Sequence, residues 1–552
     1  MTVIRNIKSE SRKNILWIMS ALVAGALLKA LLVFVNVIPF NSDEAVVALM
    51  ARHILRGERP VFFYGQAYMG SLDAWLVAGG FWFFGQQVWV IRFIQIMLYL
   101  LVILTTAILG RKIFGSWRVG IMAAWLMAIP VVNVTLYTTA SLGGYAEALL
   151  IGNLLLLIGW QISQRHEGIN REFQLFLWFI WGLLAGLGIW AFGFTLIYSL
   201  PVGILLIFSA WSWSRQVSAS GKGFFSKIFL VLIGGVLGAA PWWFYALNHG
   251  FTSLVWELRG GAIAGVEKLP WTGQILQHLI NFLLLGITVL FGFRPPWSAT
   301  WLVFPLIPFV LIFWGAVVIY ALGNFRSVSN NKEFMWALMG IPAVLIAAFI
   351  FTPFGADPSG RYFVPLMVPA ALFAAYFIYT LSHKYGSKAL GLLIFILIFN
   401  LLGTVQCALR DPPGITTQFY EPTQIDHRSD AALIEFLNAH GEKRGYTNYW
   451  VTYPLAFLSQ EALIFVPRLP YHLDLRYTER DDRYDQYDEI VAQANRAAFI
   501  TTRNPELDKY IQKEFQKLNV QWEESQIGDY HIFYDLSRKV EPEEIGLGFS
   551  SQ

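Results

Sequence analysis

Four residues, Asn41-Ser42-Asp43-Glu44, follow the first long apolar segment of the chain and put two adjacent carboxylates at what would be a membrane surface. Desolvating an ionised side chain is expensive, so acids kept at such a place mark a functional position. Asn41 or Ser42 can cap a helix running through Ala45, Val46, Leu49, Met50 and Ile54, which seats both acids in its first turn, where the helix dipole favours their charged forms. A carboxylate so placed is suited to take a proton from a hydroxyl. A third acid, Glu147, lies where Ser141-Leu142-Gly143-Gly144-Tyr145-Ala146 leads into another apolar segment, again within a first helical turn. The complementary cation is Arg361, in Asp357-Pro358-Ser359-Gly360-Arg361-Tyr362-Phe363-Val364-Pro365, whose guanidinium can reach a phosphate at headgroup level. Arg259 and Lys268 stand in a long loop, while Arg52, His53 and Arg56 follow the acid pair on its own helix; each has the simpler alternative of a headgroup or surface contact.

Something must hold these residues in place, and composition says what. The chain of 552 residues is 56% hydrophobic and only 14% charged, with mean hydropathy +0.52, which marks a polytopic membrane protein. Its net charge of +4 conceals an uneven distribution, because only 12 of the 36 acids precede Arg410. A membrane domain over 1–410 followed by a soluble domain over 411–552 is therefore expected. The lone Cys407 excludes an intramolecular disulfide framework.

Apolar runs predict about eleven spans, at 15–38, 88–110, 118–137, 145–162, 173–191, 193–212, 228–247, 301–322, 334–352, 361–381 and 389–407. With the N-terminus in the cytoplasm, the basic clusters Arg111/Lys112/Arg118, Arg165/Arg171, Arg215/Lys222/Lys227, Arg326/Lys332 and Lys384/Lys388 all face inward, in keeping with the positive-inside bias. The segment 275–293 is also apolar enough to cross; its polar stripe of Gln274, Gln277, His278 and Asn281 and the loop parity favour an interfacial or re-entrant helix. An odd number of spans puts the tail outside the cytoplasm. There, helices near 431–440, 489–496 and 507–518 alternate with strands near 446–451, 462–466 and 498–502 and a hairpin at Gly528-Asp529, predicting a small α/β domain. The acid-rich piece 477–489 has the ordinary reading of a solvated face, with a cation site as its rival.

Asp43-Glu44 after the first span, the turn at Gly57, the segment Tyr64-Gly65-Gln66-Ala67-Tyr68 running to Phe84-Gly85, and Gly360-Arg361-Tyr362 before Pro365 resemble the GT-C glycosyltransferases. The similarity is to the family-39-like group of protein mannosyltransferases and the aminoarabinose transferase of lipid A, and it covers the chain up to about residue 410. It implies a mostly α, polytopic helical bundle of GT-C type with a small extracytoplasmic α/β domain, in the plasma membrane. It also implies a polyprenyl-phosphate sugar as donor, with the first-loop acid on Asp43 beside Glu44 and the second-loop acid on Glu147. Arg361, Tyr362, Arg259, Lys268, His53 and Tyr64 become candidate substrate contacts. The proline-rich stretch usual after the first-loop glycine is replaced by Gln66-Ala67-Tyr68-Met69-Gly70-Ser71-Leu72-Asp73, which leaves Asp73 without an assigned role.

The chemistry fits on its own terms. Transfer of a sugar from a lipid phosphate to a hydroxyl of a glycan, lipid or protein needs a base, here Asp43, cations for the departing phosphate, led by Arg361, and an apolar groove for the lipid. Two carboxylates and a phosphate could also hold a divalent ion, although Asp43-Glu44 with Glu147 shows no fixed ligand spacing. No nucleotide-binding loop or nucleic-acid signature is present. The rival reading is a lipid-sugar flippase or transporter; transporters tend to carry paired repeats and midplane charges, and neither is visible. The enzymatic reading requires that 43, 147 and 361 serve one pocket.

Overall fold

The computed structural model describes residues 2–164, 170–217, 222–259, 269–324, 332–357, 359–410 and 414–549. They form two compact units. One contains residues 1–34, 68–73 and 92–407; the other contains 35–67, 74–91 and 408–552.

The first unit is a helical membrane bundle. Among the described residues nine helical stretches are long and apolar enough to cross a bilayer. The last of them, Arg361–Ala408, runs through the helices Met367–Tyr385 and Leu390–Ala408, each 19 residues long and so roughly 28 Å. Two of the expected eleven spans are not continuous. Residues 118–137 break at Ile129-Pro130 into the helices Trp117–Ala128 and Val132–Tyr137, since Pro130 disfavours helix in the residue before it and has no N–H to continue the ladder. Residues 228–247 fall in the pair Gly223–Gly238 and Ala240–His249, bent by 65° at a Pro241-containing junction. Close helix contact rests on small residues: a methyl at Gly186 would collide with the Gly235 carbonyl, and one at Gly234 with the Phe179 carbonyl.

The segment Trp271–Leu290 departs from the interfacial expectation, because it qualifies as a span by length and composition. Its polar stripe is used within the protein. His278 Nδ1 lies 2.9 Å from the Ile350 carbonyl, and Asn281 donates to the Gly355 carbonyl at 2.9 Å. A π turn at Phe282–Gly286 interrupts the helix and lets Gly286 receive the ring of Phe363.

The second unit is α/β. Strands β1 (Arg444–Tyr446), β2 (Ile464–Val466), β3 (Ala498–Thr502), β4 (Glu523–Ile527) and β5 (Tyr530–Tyr534) form one mixed sheet in the order β2-β1-β3-β5-β4. The β2-β1-β3 half is parallel, and β5 runs antiparallel both to β3, with Phe499 opposite Phe533, and to β4, its hairpin partner. Helices Asp430–Ala439 and Pro505–Lys517 lie close to their expected bounds. The expected strand at 446–451 ends at Tyr446. Asn448 then caps a helix, Tyr449–Leu458, by accepting from Trp450 N–H, and a run apolar on every face is as consistent with a buried helix as with a strand. The same unit includes the helix Ser42–Leu55, which packs on Tyr449–Leu458.

Candidate active site

In the second unit, Asn41 caps the Ser42–Leu55 helix, accepting from Glu44 N–H, so Asp43 and Glu44 occupy its first turn as expected. The pair divides: Glu44 is fully buried, whereas Asp43 is half-buried. Asp43 Oδ1 accepts from the Tyr449 hydroxyl at 2.6 Å. Two further bonds fix the same turn to the tail, from Ser42 Oγ to the Tyr449 carbonyl and from Asn41 Nδ2 to Thr417 Oγ1 at 2.8 Å. Asp481 also acts on this position. Burial, reinforced by the charge of Asp43 and opposed by Arg483, pushes its carboxyl up to about 7. Arg483 lies 5.5 Å over the Tyr449 ring and packs against Gly65.

His53 and Tyr64 stand at the other end of that helix. His53 Nε2 meets Glu461 at 2.9 Å, Tyr64 donates to Glu58 at 2.6 Å, and Tyr484 stacks on both rings with centroids 4.8 Å away. Arg52 donates to Gln86 at 2.8 Å and to the Phe457 carbonyl at 3.0 Å, and Arg56 also pairs with Glu461. His53, Arg56 and the Tyr487 hydroxyl hold the Glu461 carboxyl down at about 2 against the opposing effect of burial. The acid-rich piece is likewise engaged within the unit, with Arg468 paired to Asp482 at 3.3 Å and to Asp488.

The first unit carries a different arrangement. Gly143 and Gly144 both adopt positive φ, +88° and +105°, a turn that side chains resist, and it delivers Glu147 into the first turn of Tyr145–Ser163. Asp73 accepts from Ser141 Oγ at 2.6 Å, from Gln95 Nε2 at 2.9 Å and from Gly143 N–H at 3.3 Å. The same Gln95 amide donates to Glu147 Oε1 at 3.2 Å, and the Asp73 and Glu147 carboxyls interact directly. Both acids are 2% exposed.

Arg361 follows Gly360, whose φ of +73° turns the chain at a point where a Cβ would strike Val289. Its guanidinium pairs with Asp357 at 2.7 Å and donates to the Tyr362 hydroxyl at 3.1 Å; its buried Nε has no hydrogen-bond partner among the described residues. The rings of Phe194 and Phe354 pack on Tyr362, and Tyr68 and Tyr145 lie close enough to interact with Arg361 electrostatically. Arg259 is exposed at the end of the helix Phe251–Leu258, and Lys268 lies outside the described residues. Among the described residues no group of three His, Cys, Asp or Glu is arranged to hold a metal ion.

No protein-family model matches the sequence, and no curated protein sequence matches it. The fold matches solved structures. ArnT from Cupriavidus metallidurans superposes with a TM-score of 0.54 in its undecaprenyl-phosphate-bound structure, at 13% identity over 94% of this chain and 97% of ArnT. Its apo structure gives 0.55 at 13% identity, with 95% and 98% covered. The apo oligosaccharyltransferase of Archaeoglobus fulgidus gives 0.51 at 16% identity, over 88% of this chain and 69% of that one. The chain has the GT-C glycosyltransferase fold.

Within this fold the partners of Asp73 and the place of Lys29 escaped the sequence reading. Asp73 shows its importance only through Gln95, Ser141 and Gly143, which are distant in sequence; its one local signal is an acid opening the apolar helix Leu72–Phe84. Lys29 is hidden in the first apolar run, where an ionisable side chain is itself a signal. It is 1% exposed, donates to Thr138 Oγ1 at 2.7 Å and Thr139 Oγ1 at 2.8 Å, and lies 4.2 Å over the Tyr99 ring. It thereby anchors the end of Val132–Tyr137, just ahead of the turn that carries Glu147.

Proposed function

We propose that the chain is an integral-membrane glycosyltransferase that moves a sugar from a polyprenyl-phosphate donor to a hydroxyl of a glycan, lipid or protein, at the extracytoplasmic side and with inversion. The observation that carries this reading is Asp43, a half-buried carboxylate at a helix N-terminus, oriented by a tyrosine hydroxyl, in a chain of GT-C fold. One structure of that fold is ArnT bound to undecaprenyl phosphate, which supports the choice of donor.

In this mechanism the acceptor oxygen attacks the anomeric carbon from the side opposite the phosphate. Its proton passes to Asp43 as the new C–O bond forms, because a carboxylate is too weak a base to take it beforehand. The anomeric C–O bond to phosphate breaks at the same time, and polyprenyl phosphate leaves with the electron pair. That charge needs a cation, and in the first unit Arg361 has a donor left over at Nε, with Tyr362 beside it. Glu147, held with Asp73 through Gln95, positions the turn at Gly143-Gly144. Glu44, buried in the same first turn, supports that turn.

The test is incubation of the purified protein with polyprenyl-phosphate hexose or pentose donors and mass analysis of candidate acceptors. A new glycosidic linkage of inverted configuration is expected. Movement of the lipid across vesicles with no bond formed would favour the flippase instead.

A further inference from the structure

We propose that His53 is a positioning residue for Asp43: held as an imidazolium between Glu461 and Tyr64, it fixes the register of the helix that carries Asp43, so that sugar transfer slows when the ring gives up its proton. The effect on rate rests on the transferase reading above; the charge on His53 does not.

That charge follows from counting donors in the second unit. His53 is 2% exposed, so both ring nitrogens must find partners within the protein. Nε2 lies 2.9 Å from Glu461, which also accepts from the Tyr487 hydroxyl at 3.0 Å and pairs with Arg56 and, at 3.7 Å, with Arg52. Against the effect of burial these partners keep Glu461 ionised, so it can only accept, and Nε2 carries a hydrogen. Nδ1 lies 3.0 Å from the Tyr64 hydroxyl. Burial and the bond to Glu58 keep that phenol protonated, and its single hydrogen goes to Glu58 Oε2 at 2.6 Å. Toward Nδ1 the Tyr64 oxygen offers only a lone pair, so Nδ1 carries a hydrogen as well. A ring with hydrogen on both nitrogens is a cation. Glu461 and Glu58, the latter 3.9 Å from Nδ1, favour that cation; Arg52 and Arg56 oppose it, and the Tyr484 ring stacks on it.

The neutral ring would break this chain. With one hydrogen it either turns a lone pair on the Glu461 carboxylate or takes the Tyr64 proton away from Glu58, whose other oxygen accepts from Tyr484 at 2.7 Å.

What the cation holds is a pair of helices tied at both ends. Ser42–Leu55 and Tyr449–Leu458 run side by side in the same direction, since Asp43 meets Tyr449 at their first turns and Arg52 meets the Phe457 carbonyl near their last. Just beyond the second helix, Gln460 and Glu461 adopt φ of +55° and +63°, which side chains resist, so the turn that presents Glu461 is strained and depends on its ion pairs. His53 ties this end while Tyr449 ties Asp43 at the other. Loosening the first lets the helices slide and misaligns the second.

Histidine-selective ¹⁵N NMR of the full-length protein in nanodiscs reads the ring directly, with His53→Gln assigning the signal. At about pH 7 both His53 nitrogens should be protonated in the wild type, and only one in Glu461→Gln. A single protonated nitrogen in the wild type would overturn the proposal. In the transfer assay the wild-type rate should fall about fivefold between about pH 7 and pH 9, while His53→Gln should be slow and flat across that range. Asp481, which burial pushes up to about 7, also faces Asp43, so the profile is repeated in Asp481→Asn, where the falling limb should persist. A limb lost in Asp481→Asn and kept in a folded His53→Gln would overturn the positioning role by giving the titration to Asp481. A wild type whose His53 is doubly protonated but which forms no glycosidic bond at any pH would refute the transferase reading and not the charged clamp.

Discussion

Asp43 and Glu147 are both acids in the first turn of a helix, yet the groups around them have little in common. Asp43 is half-buried and bonded by a phenol from the tail; Glu147 is sealed from solvent beside a second carboxyl, with one glutamine amide shared between the two. An acid that must meet an incoming hydroxyl needs access and a fixed direction, which the first arrangement provides. An acid pair locked by amide, hydroxyl and backbone donors is suited to hold shape. Under the proposed function, the contrast gives proton transfer to the accessible acid and positioning to the enclosed pair.

That contrast can be broken by substitution. Asp43→Asn should lower the transfer rate by about 10²–10⁴ while leaving donor binding within threefold, the expectation for loss of a general base. Equal losses of rate and binding would move Asp43 into the binding role. Asp73→Ala should weaken donor or acceptor affinity and lower thermal stability by about 1–3 kcal/mol, since it strands the donors of Ser141, Gln95 and Gly143 in a buried site; an Asp73→Ala protein of unchanged stability and affinity would show the cluster to be idle.

Tyr449→Phe sharpens the comparison further. Loss of a hydrogen bond to a charged group costs about 1.5–3 kcal/mol, so kcat should fall roughly tenfold or more at unchanged donor KM. In an Asp43→Asn background the same change should cost almost nothing more, because the phenol acts through the carboxylate. Additive losses would separate the two residues.

The smallest effect concerns Asp481. Folded, it keeps its proton up to about pH 7, whereas a carboxyl of ordinary pKa, 3.8, releases it far earlier. The folded state therefore binds more protons between those values, and stability falls as pH rises through that window. Asp481→Asn should raise the melting temperature at pH 8 by roughly 2–4 °C and leave it nearly unchanged below pH 4. An equal shift at both pH values would mean that burial of the charge is not the cause.

The same contrast explains what could be read in advance. Asp43, Glu147 and Arg361 are charges at the ends of apolar runs, and the membrane bundle with its α/β tail follows from those runs and from the crowding of acids after Arg410. Partners distant in sequence were not legible. Tyr449 sits in an apolar run that reads equally as strand or helix, and only the cap at Asn448 decides it. Asp73 is an isolated acid until Gln95 and Ser141 meet it, and His278 and Asn281 looked interfacial because their partners, the Ile350 and Gly355 carbonyls, lie more than seventy residues away. Breaks at Ile129-Pro130 and before Pro241 were visible as prolines but not as the ends of spans.

The most direct measurement compares wild type with Asp43→Asn in a single assay that follows sugar transfer from a polyprenyl-phosphate donor together with donor binding. The account predicts a glycosidic product formed by the wild type, its near-complete loss in Asp43→Asn, and donor affinity retained in both. Transfer by Asp43→Asn at the wild-type rate, or a wild type that binds the donor and never forms the bond, would contradict it.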